Sequence, residues 1–295
     1  MDDLSKAQRK ATDFGDQVEI NAPTGGRVPL VFASPHSGRA YPPEFLAASR
    51  LDKRAIRRSE DSFVDEIFAA APAHGAPLLK ACFPRAFVDP NRQAFELDPA
   101  MFDDVLPAHV NTTSARVKAG LGTIARVVGD GQPIYGKMLE FSEVERRIRD
   151  HYRPYHRALA HLIEETQARF GFCVLIDCHS MPSAATSGGS GGVDVVLGDN
   201  LGRACAPALS QWLSDQLGDL GFSVRRNRPY SGGFTVGHYG NPGGGVHAIQ
   251  IELNRALYMN EKSLRRLPGL ADLAARMDRL IAALAAGVTN GLLAR

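Results

Sequence analysis

Three polar side chains stand where apolar strands run out: His36 in "VFASPHSG", His179 in "VLIDCHSM" and Glu252 in "AIQIELNR". Two neutral imidazoles and a carboxylate are the parts of a zinc hydrolase, with the imidazoles as metal ligands and the carboxylate as general base. Glu252 stands out most. Read with a period of two, Ile249, Ile251 and Leu253 line one face of a strand, and Gln250, Glu252 and Asn254 line the other. A strand this apolar belongs inside a sheet, where an ionised carboxylate is costly without a partner. Each histidine alone could be a hydrogen-bonded structural residue. The repetition of "HS" after two apolar strands favours ligands.

A second cluster is cationic. "FVDPNR" offers Asn91 and Arg92, and a guanidinium can hold a carboxylate through two parallel hydrogen bonds, which a lysine cannot copy. Arginine is also the common choice for structural salt bridges, so this motif alone reads both ways. "GGFTVGHYGNPGGG" is dense in glycine just ahead of the Glu252 strand, as in a substrate loop or a run of tight turns. It lacks the spacing of a dinucleotide fingerprint or a phosphate-binding loop, and "DFG" near the start has no kinase context. His151, His156 and His161 fall on a charged helix and read as solvated, and His74 sits at a helix end. Two rival classes use the same residues. One is a metal-free hydrolase with Ser37, Ser180 or Cys178 beside a histidine. The other is a binding protein on a hydrolase scaffold, which has no need of Glu252.

The elements that must position these residues alternate between strand and helix. "RVPLVFASPH" is the first strong strand, followed by a helical stripe of Ile56, Phe63, Val64, Ile67 and Phe68 closed by Gly75. "PLLKACF" and "AFVDPNR" read as short strands, and residues 93–135 as an irregular excursion. A helix interrupted at Pro154 covers 142–171, with Ser142 and Glu145 at capping-box spacing. "FCVLIDCHS" is a continuous apolar run fit for a central strand. "SAATSGGSGG" is a flexible loop and "VDVVLG" a further strand; "ALSQWLSDQLGDLG" and "LADLAARMDRLIAALAAGVTNGLL" are helices. The alternation predicts α/β: one domain over 1–295 with a central mixed, mostly parallel sheet flanked by helices, residues 1–20 forming a flexible N-terminal segment. In such sheets ligands collect at the carboxyl ends of strands, where His36, His179 and Glu252 fall.

Composition narrows the classes. The chain has 34 basic and 32 acidic residues, interspersed, for a formal net charge of +2, which gives nucleic acid nothing to grip. No apolar stretch approaches a membrane span and none near the start resembles a secretion signal. The four cysteines include no CxxC pair, against a zinc ribbon or a redox dithiol, and suit a reducing cytoplasm. The expected partner is a small molecule bearing carboxylates. Oligomeric state is not legible.

Taken in order, "SPHSGRAYP", "SEDSFVDEIF", "FVDPNR", "GDGQPIY", "YRPYH", "DCHSMP", "PYSGGFTVGHYGNP" and "AIQIELNRALYM" resemble the N-formylglutamate amidohydrolase family from about residue 28 to about residue 260. That family is similar in fold to zinc carboxypeptidases and aspartoacylases. The resemblance implies His36 and His179 as imidazole ligands to one zinc ion. Carboxypeptidases place a carboxylate ligand three residues after the first histidine, but Arg39 stands there. Asp61 is the expected replacement, with Glu60 its rival and Asp65 a lesser one. On a helix Glu60 and Asp61 would point about 100° apart, so one at most could reach the ion. By the same resemblance Asn91 and Arg92 take the substrate's carboxylate, and Arg126 stabilises the oxyanion. Arg255, Arg228 or Arg126 meets a second carboxylate, and Glu252 acts as base. Arg228 replaces an acidic residue expected before "PY". The implied reaction is release of formate and L-glutamate from N-formyl-L-glutamate, at the last step of histidine breakdown, or the same chemistry on another N-acyl amino acid or peptide.

Overall fold

The computed structural model describes residues 14–186 and 192–293. Most of the N-terminal segment expected to be flexible, and the centre of the "SAATSGGSGG" loop, lie outside the described residues. Seven strands form one sheet: β1 (Val18–Asn21), β2 (Leu30–Ser34), β3 (Leu78–Ala81), β4 (Cys173–Met181), β5 (Val195–Gly198), β6 (Val224–Arg226) and β7 (Val246–Asn254), in the order β1-β3-β2-β4-β7-β5-β6. β2 pairs in parallel with β3 and β4, and β4 with β7. β5 runs antiparallel to β7 and parallel to β6, so the sheet is mixed and mostly parallel, as expected.

The described residues group into two compact units. One comprises Ile20–Ser34, Asp61–Lys80 and the described part of Leu159–Arg295. It carries nearly all of the sheet. β4 and β7 are buried along their full length, the mark of strands covered on both faces. Leu30 and Phe32 of β2, Val174, Ile176 and Cys178 of β4, and Ile249, Ile251 and Leu253 of β7 share one apolar face. Against it pack α1 (Val64–Ile67), α3 (Pro207–Asp219) and α4 (Gly269–Thr289), while α2 (Arg153–Phe170) precedes β4. In α4 the residues Leu273, Met277, Leu280, Ile281 and Leu284 fall on one helical face and are all buried. Each such side chain contributes roughly 1.5–3 kcal/mol when taken from water, so the strand ends are held by a large packed core.

The other unit comprises the described part of Met1–Glu19, with Pro35–Glu60 and Ala81–Ala158. It is built of loops, short helices and isolated bridges. A guanidinium organises it. Arg147 is fully buried, donates from Nη1 to the Tyr135 hydroxyl at 2.7 Å and the Phe87 carbonyl at 3.1 Å, pairs with Glu143, and lies 4.2 Å from the centre of the Phe87 ring. The charge is thus matched by a carboxylate, two oxygens and an aromatic face.

Several local expectations differ. The helix expected through residues 55–75 is broken into Ala55–Ser59, α1 and Ala71–His74, with Glu60 extended and Phe63 at φ 69°. "AFVDPNR" forms no strand; the chain turns there so that Asp89 faces other side chains. The long helix is interrupted by a π-helical turn at Ile148–Tyr152, just ahead of Pro154. Its first residue is Phe141, and Ser142 bonds the Glu140 carboxylate instead of forming the expected capping box. His151 and His156 are half-buried, not solvated: His151 meets the Phe83 and Phe87 rings edge-on, and His156 bonds the Pro90 carbonyl at 2.9 Å.

Candidate metal centre

The polar faces of β4 and β7 meet in register. Asp177 pairs with Gln250 and His179 with Glu252, so all four side chains share one face, opposite the apolar core. His179 is buried and engaged at both ring nitrogens. Nε2 lies 2.9 Å from Asp177 Oδ2, and Nδ1 lies 3.0 Å from Asp61 Oδ2. Burial works against charge on this ring, but Asp177, Asp61 and Glu252 override it and hold its pKa well above the usual imidazole value. Gln250 donates from Nε2 to Glu252 Oε1 at 2.7 Å and accepts the Gly233 N–H at 2.9 Å. A carboxylate only accepts and a backbone N–H only donates, so the amide has one consistent orientation.

Asp61 owes its place to the broken helix. Glu60 leaves the helical path in an extended conformation, and the positive φ of Phe63 restarts the chain into α1. For a bulky side chain that conformation costs about 1–3 kcal/mol and persists only where the surroundings impose it. The Phe63 ring is buried in the core and lies 4.9 Å from the Arg266 guanidinium. Glu60 goes elsewhere: its carboxylate accepts from the Tyr41 hydroxyl at 2.7 Å and from Arg57 at 2.9 and 3.0 Å.

His36 follows β2 by two residues and is 1 % exposed. Its Nε2 bonds Asp89 Oδ1 at 2.7 Å, and that oxygen also accepts the Asn91 N–H at 2.9 Å. Asp89 Oδ2 pairs with Arg85 at 2.8 Å and Arg92 at 3.6 Å. Burial pushes the Asp89 carboxyl up, but Arg92, His36 and Arg85 outweigh it and hold it well below the ordinary range. Gly38, in the same loop, lies so close to the Phe83 carbonyl that a Cβ would overlap it. Arg39, the residue in place of the carboxypeptidase carboxylate, is exposed and donates to the Ser37 carbonyl at 3.3 Å.

His36, Asp61 and His179 are all buried and offer ligand atoms within 4.8 Å of one another. The donor chemistry fits a divalent ion: two imidazoles and a carboxylate are a zinc donor set. Each imidazole has its Nε2 held by a further carboxylate, Asp89 or Asp177, an arrangement that in metal sites fixes the tautomer and would leave Nδ1 as the ligand atom.

The model of the family described as N-formylglutamate amidohydrolase matches residues 28–259. The chain belongs to that family. A curated N-formylglutamate deformylase of Pseudomonas aeruginosa is 31% identical over 242 residues, 81% of this chain and 85% of that protein. One from Pseudomonas putida is 28% identical over 240 residues, 80% and 84% of the two chains. The crystal structure of an N-formylglutamate amidohydrolase from Ralstonia eutropha JMP134 superposes with a TM-score of 0.88 at 35% identity, over 93% of this chain and 99% of that one. As a member of this family the chain is a hydrolase that acts on an amide bond.

The remaining expected residues have distinct surroundings. Arg92 is half-buried, donates to the carbonyls of Leu121 at 2.7 Å and Asn91 at 2.8 Å, and turns Nη2 toward Asp89. Burial lowers its pKa against the pull of Asp89. Arg126 is partly exposed and bonds Asp98 at 2.7 Å. It lines a cavity of about 300 Å³ with Tyr135, Lys137 and Leu139. Arg255 is buried against Asp61, 2.8 Å from Oδ1. Cys178 faces the apolar core, its thiol pushed well above the usual range by burial, which suits packing and not nucleophilic attack. Asp89, Asp177 and Gln250 went unassigned in the sequence reading. Asp177 and Gln250 each lie two residues before a named residue on the same strand face, a spacing that could have exposed them.

Proposed function

We propose that this chain hydrolyses N-formyl-L-glutamate to formate and L-glutamate as a metal-dependent enzyme of one catalytic domain in the cytoplasm, closing a histidine-degradation route. The observation that carries the reading is the register pair His179 and Glu252, which sets a carboxylate beside an imidazole of a buried His–Asp–His group. Its substrate follows the relatives, whose names specify N-formylglutamate deformylase. His36, Asp61 and His179 would hold one zinc ion, which when bound supplies a Lewis acid and lowers the pKa of water to about 7. Glu252, oriented by Gln250, takes the proton of the attacking water at one carboxylate oxygen and passes it to the leaving amine nitrogen. Asn91 and Arg92 receive the substrate's carboxylate, and Arg126 meets the developing oxyanion.

A panel of N-acyl amino acids assayed for acid release tests this reading. N-formylglutamate is expected to lead it, exhaustive chelation to stop turnover and zinc to restore it. Turnover that survives chelation would sink the metal reading. Glu252→Gln is expected to lower kcat by at least ~10²-fold with zinc content and melting temperature unchanged; wild-type turnover in that variant refutes the base. The residue at 228 favours one variation on the substrate. Arg228 stands where the family pattern expects an acid, and a preference for another acyl amino acid in the panel would trace to it.

A further inference from the structure

We infer that Arg255 is a positioning residue for the metal-binding carboxylate and not a clamp for substrate. The inference rests on the metal reading above. Asp61 reaches the site from a break between short helices, without a strand to aim it. Its two oxygens have different neighbours: Oδ2 faces His179 Nδ1 at 3.0 Å, and Oδ1 accepts from Arg255 Nη2 at 2.8 Å. Arg255 is itself fixed by Ser180, donating from Nε to Oγ at 3.2 Å and from Nη2 to the carbonyl at 3.5 Å. Ser180 is the residue after His179 on β4, and Arg255 is the residue after the last of β7. The guanidinium therefore ties a loop-borne ligand to the ends of the two strands that carry His179 and Glu252. Arg255 is 7 % exposed and Asp61 1 %, so the pair is shielded from water, where such a contact is strong and removal of one partner is felt.

The bond also selects the oxygen that would meet an ion: with Oδ1 held by Arg255, Asp61 presents Oδ2 on the His179 side. A ligating carboxylate whose outer oxygen is held this way loses on the order of 10–100-fold in metal affinity when the holder is removed. Nη2 cannot turn to a substrate carboxylate without releasing Asp61.

The test compares wild type, Arg255→Met and Arg255→Lys by zinc titration against a competing chelator, and by kcat and KM for N-formylglutamate at saturating zinc. The expected result is zinc affinity lower by about 10–100-fold in R255M, with partial recovery in R255K, which restores the charge but not the fork. KM at saturating zinc should stay within about twofold, because no uniform substrate contact is lost. A cobalt-loaded sample should show an altered visible spectrum in R255M, reporting the displaced ligand. Unchanged zinc affinity and spectrum with a KM raised about tenfold or more would overturn the inference and make Arg255 a substrate clamp. If wild type itself binds no divalent ion, the metal reading and this inference fall together. If wild type binds it and R255M binds equally well, the inference alone falls. R255K supplies the same comparison should R255M not fold.

Discussion

His179 stands inside β4, its backbone paired in register with Glu252 of the parallel β7 and a carboxylate at each ring nitrogen. His36 stands on a loop two residues beyond β2, and the bond at its Nε2 goes to a carboxylate from a turn that forms no strand. The two imidazoles are held at the same atom, Nε2, on different mountings. Backbone register aims His179, and Asp177 only completes the work. Side chains aim His36: Asp89 grips the ring, and Arg85, Arg92 and the Asn91 N–H grip Asp89. Precision built from a ladder survives the loss of one side chain better than precision built from a cluster of charges.

That contrast can be broken by experiment. The largest effect is expected for Asp89→Ala, which strands the half-buried Arg92 and releases the buried His36: about 3–5 kcal/mol of stability, read by denaturant unfolding, together with loss of tight zinc binding. Asp177→Ala should cost roughly 10–100-fold in zinc affinity with a smaller stability change, since β4 keeps its ladder. Equal losses of stability in the two variants would refute the distinction between mountings. Gly38→Ala follows, at about 1–3 kcal/mol from overlap with the Phe83 carbonyl; it should weaken zinc through His36 while leaving a strand variant's behaviour unmatched. Gln250→Leu is expected to be mildest, lowering kcat about tenfold by loosening Glu252 while zinc affinity holds, with kcat measured at saturating zinc.

The mounting of His36 also carries a pH signature. The folded Asp89 carboxyl is held well below its ordinary value. Its contribution is therefore present in full above the unfolded carboxylate range, near pH 4, and is lost as pH falls through the lower folded value. In metal-free protein, the stability gap between wild type and Asp89→Asn should be constant from pH 7 down to about 5 and narrow on stronger acidification. A gap that widens toward acid would reverse the sign and exclude the charged cluster as its source.

What could be read from sequence depended on whether a residue was placed by its own neighbours or by distant ones. β4 and β7 were legible because unbroken apolar runs specify central strands, and the polar side of β7 followed from a period of two. β1 and β6 were missed because they are short strands at the sheet's two edges, and the Arg-rich β6 is largely exposed. The single helix expected over 55–75 is broken although most of its apolar stripe, Phe63, Val64, Ile67 and Phe68, does pack on the core. Its break serves Asp61, and a tertiary demand of that kind leaves no local trace apart from the paired carboxylates. The roles of Asp89, Asp177 and Gln250 needed the cross-strand register and the turn at "DPNR", neither of which composition specifies.

The reversed direction of β5 has a consequence for the rim of this site. β4 ends level with the end of β7, through the pair Met181 and Asn254, and β5 begins there too, through Val195 and Leu253. The connection from β4 to β5 therefore both leaves and returns at the rim where Glu252 lies. A wholly parallel sheet would lend its rim only the segments that follow strands; one inverted strand adds a segment that precedes one. The described return of that connection is tied to the end of β7, where Asn254 donates from its side chain to the Val193 carbonyl at 3.0 Å and from its backbone to the Asp194 carbonyl at 2.8 Å, so an entering strand as well as the leaving ones is anchored at that rim.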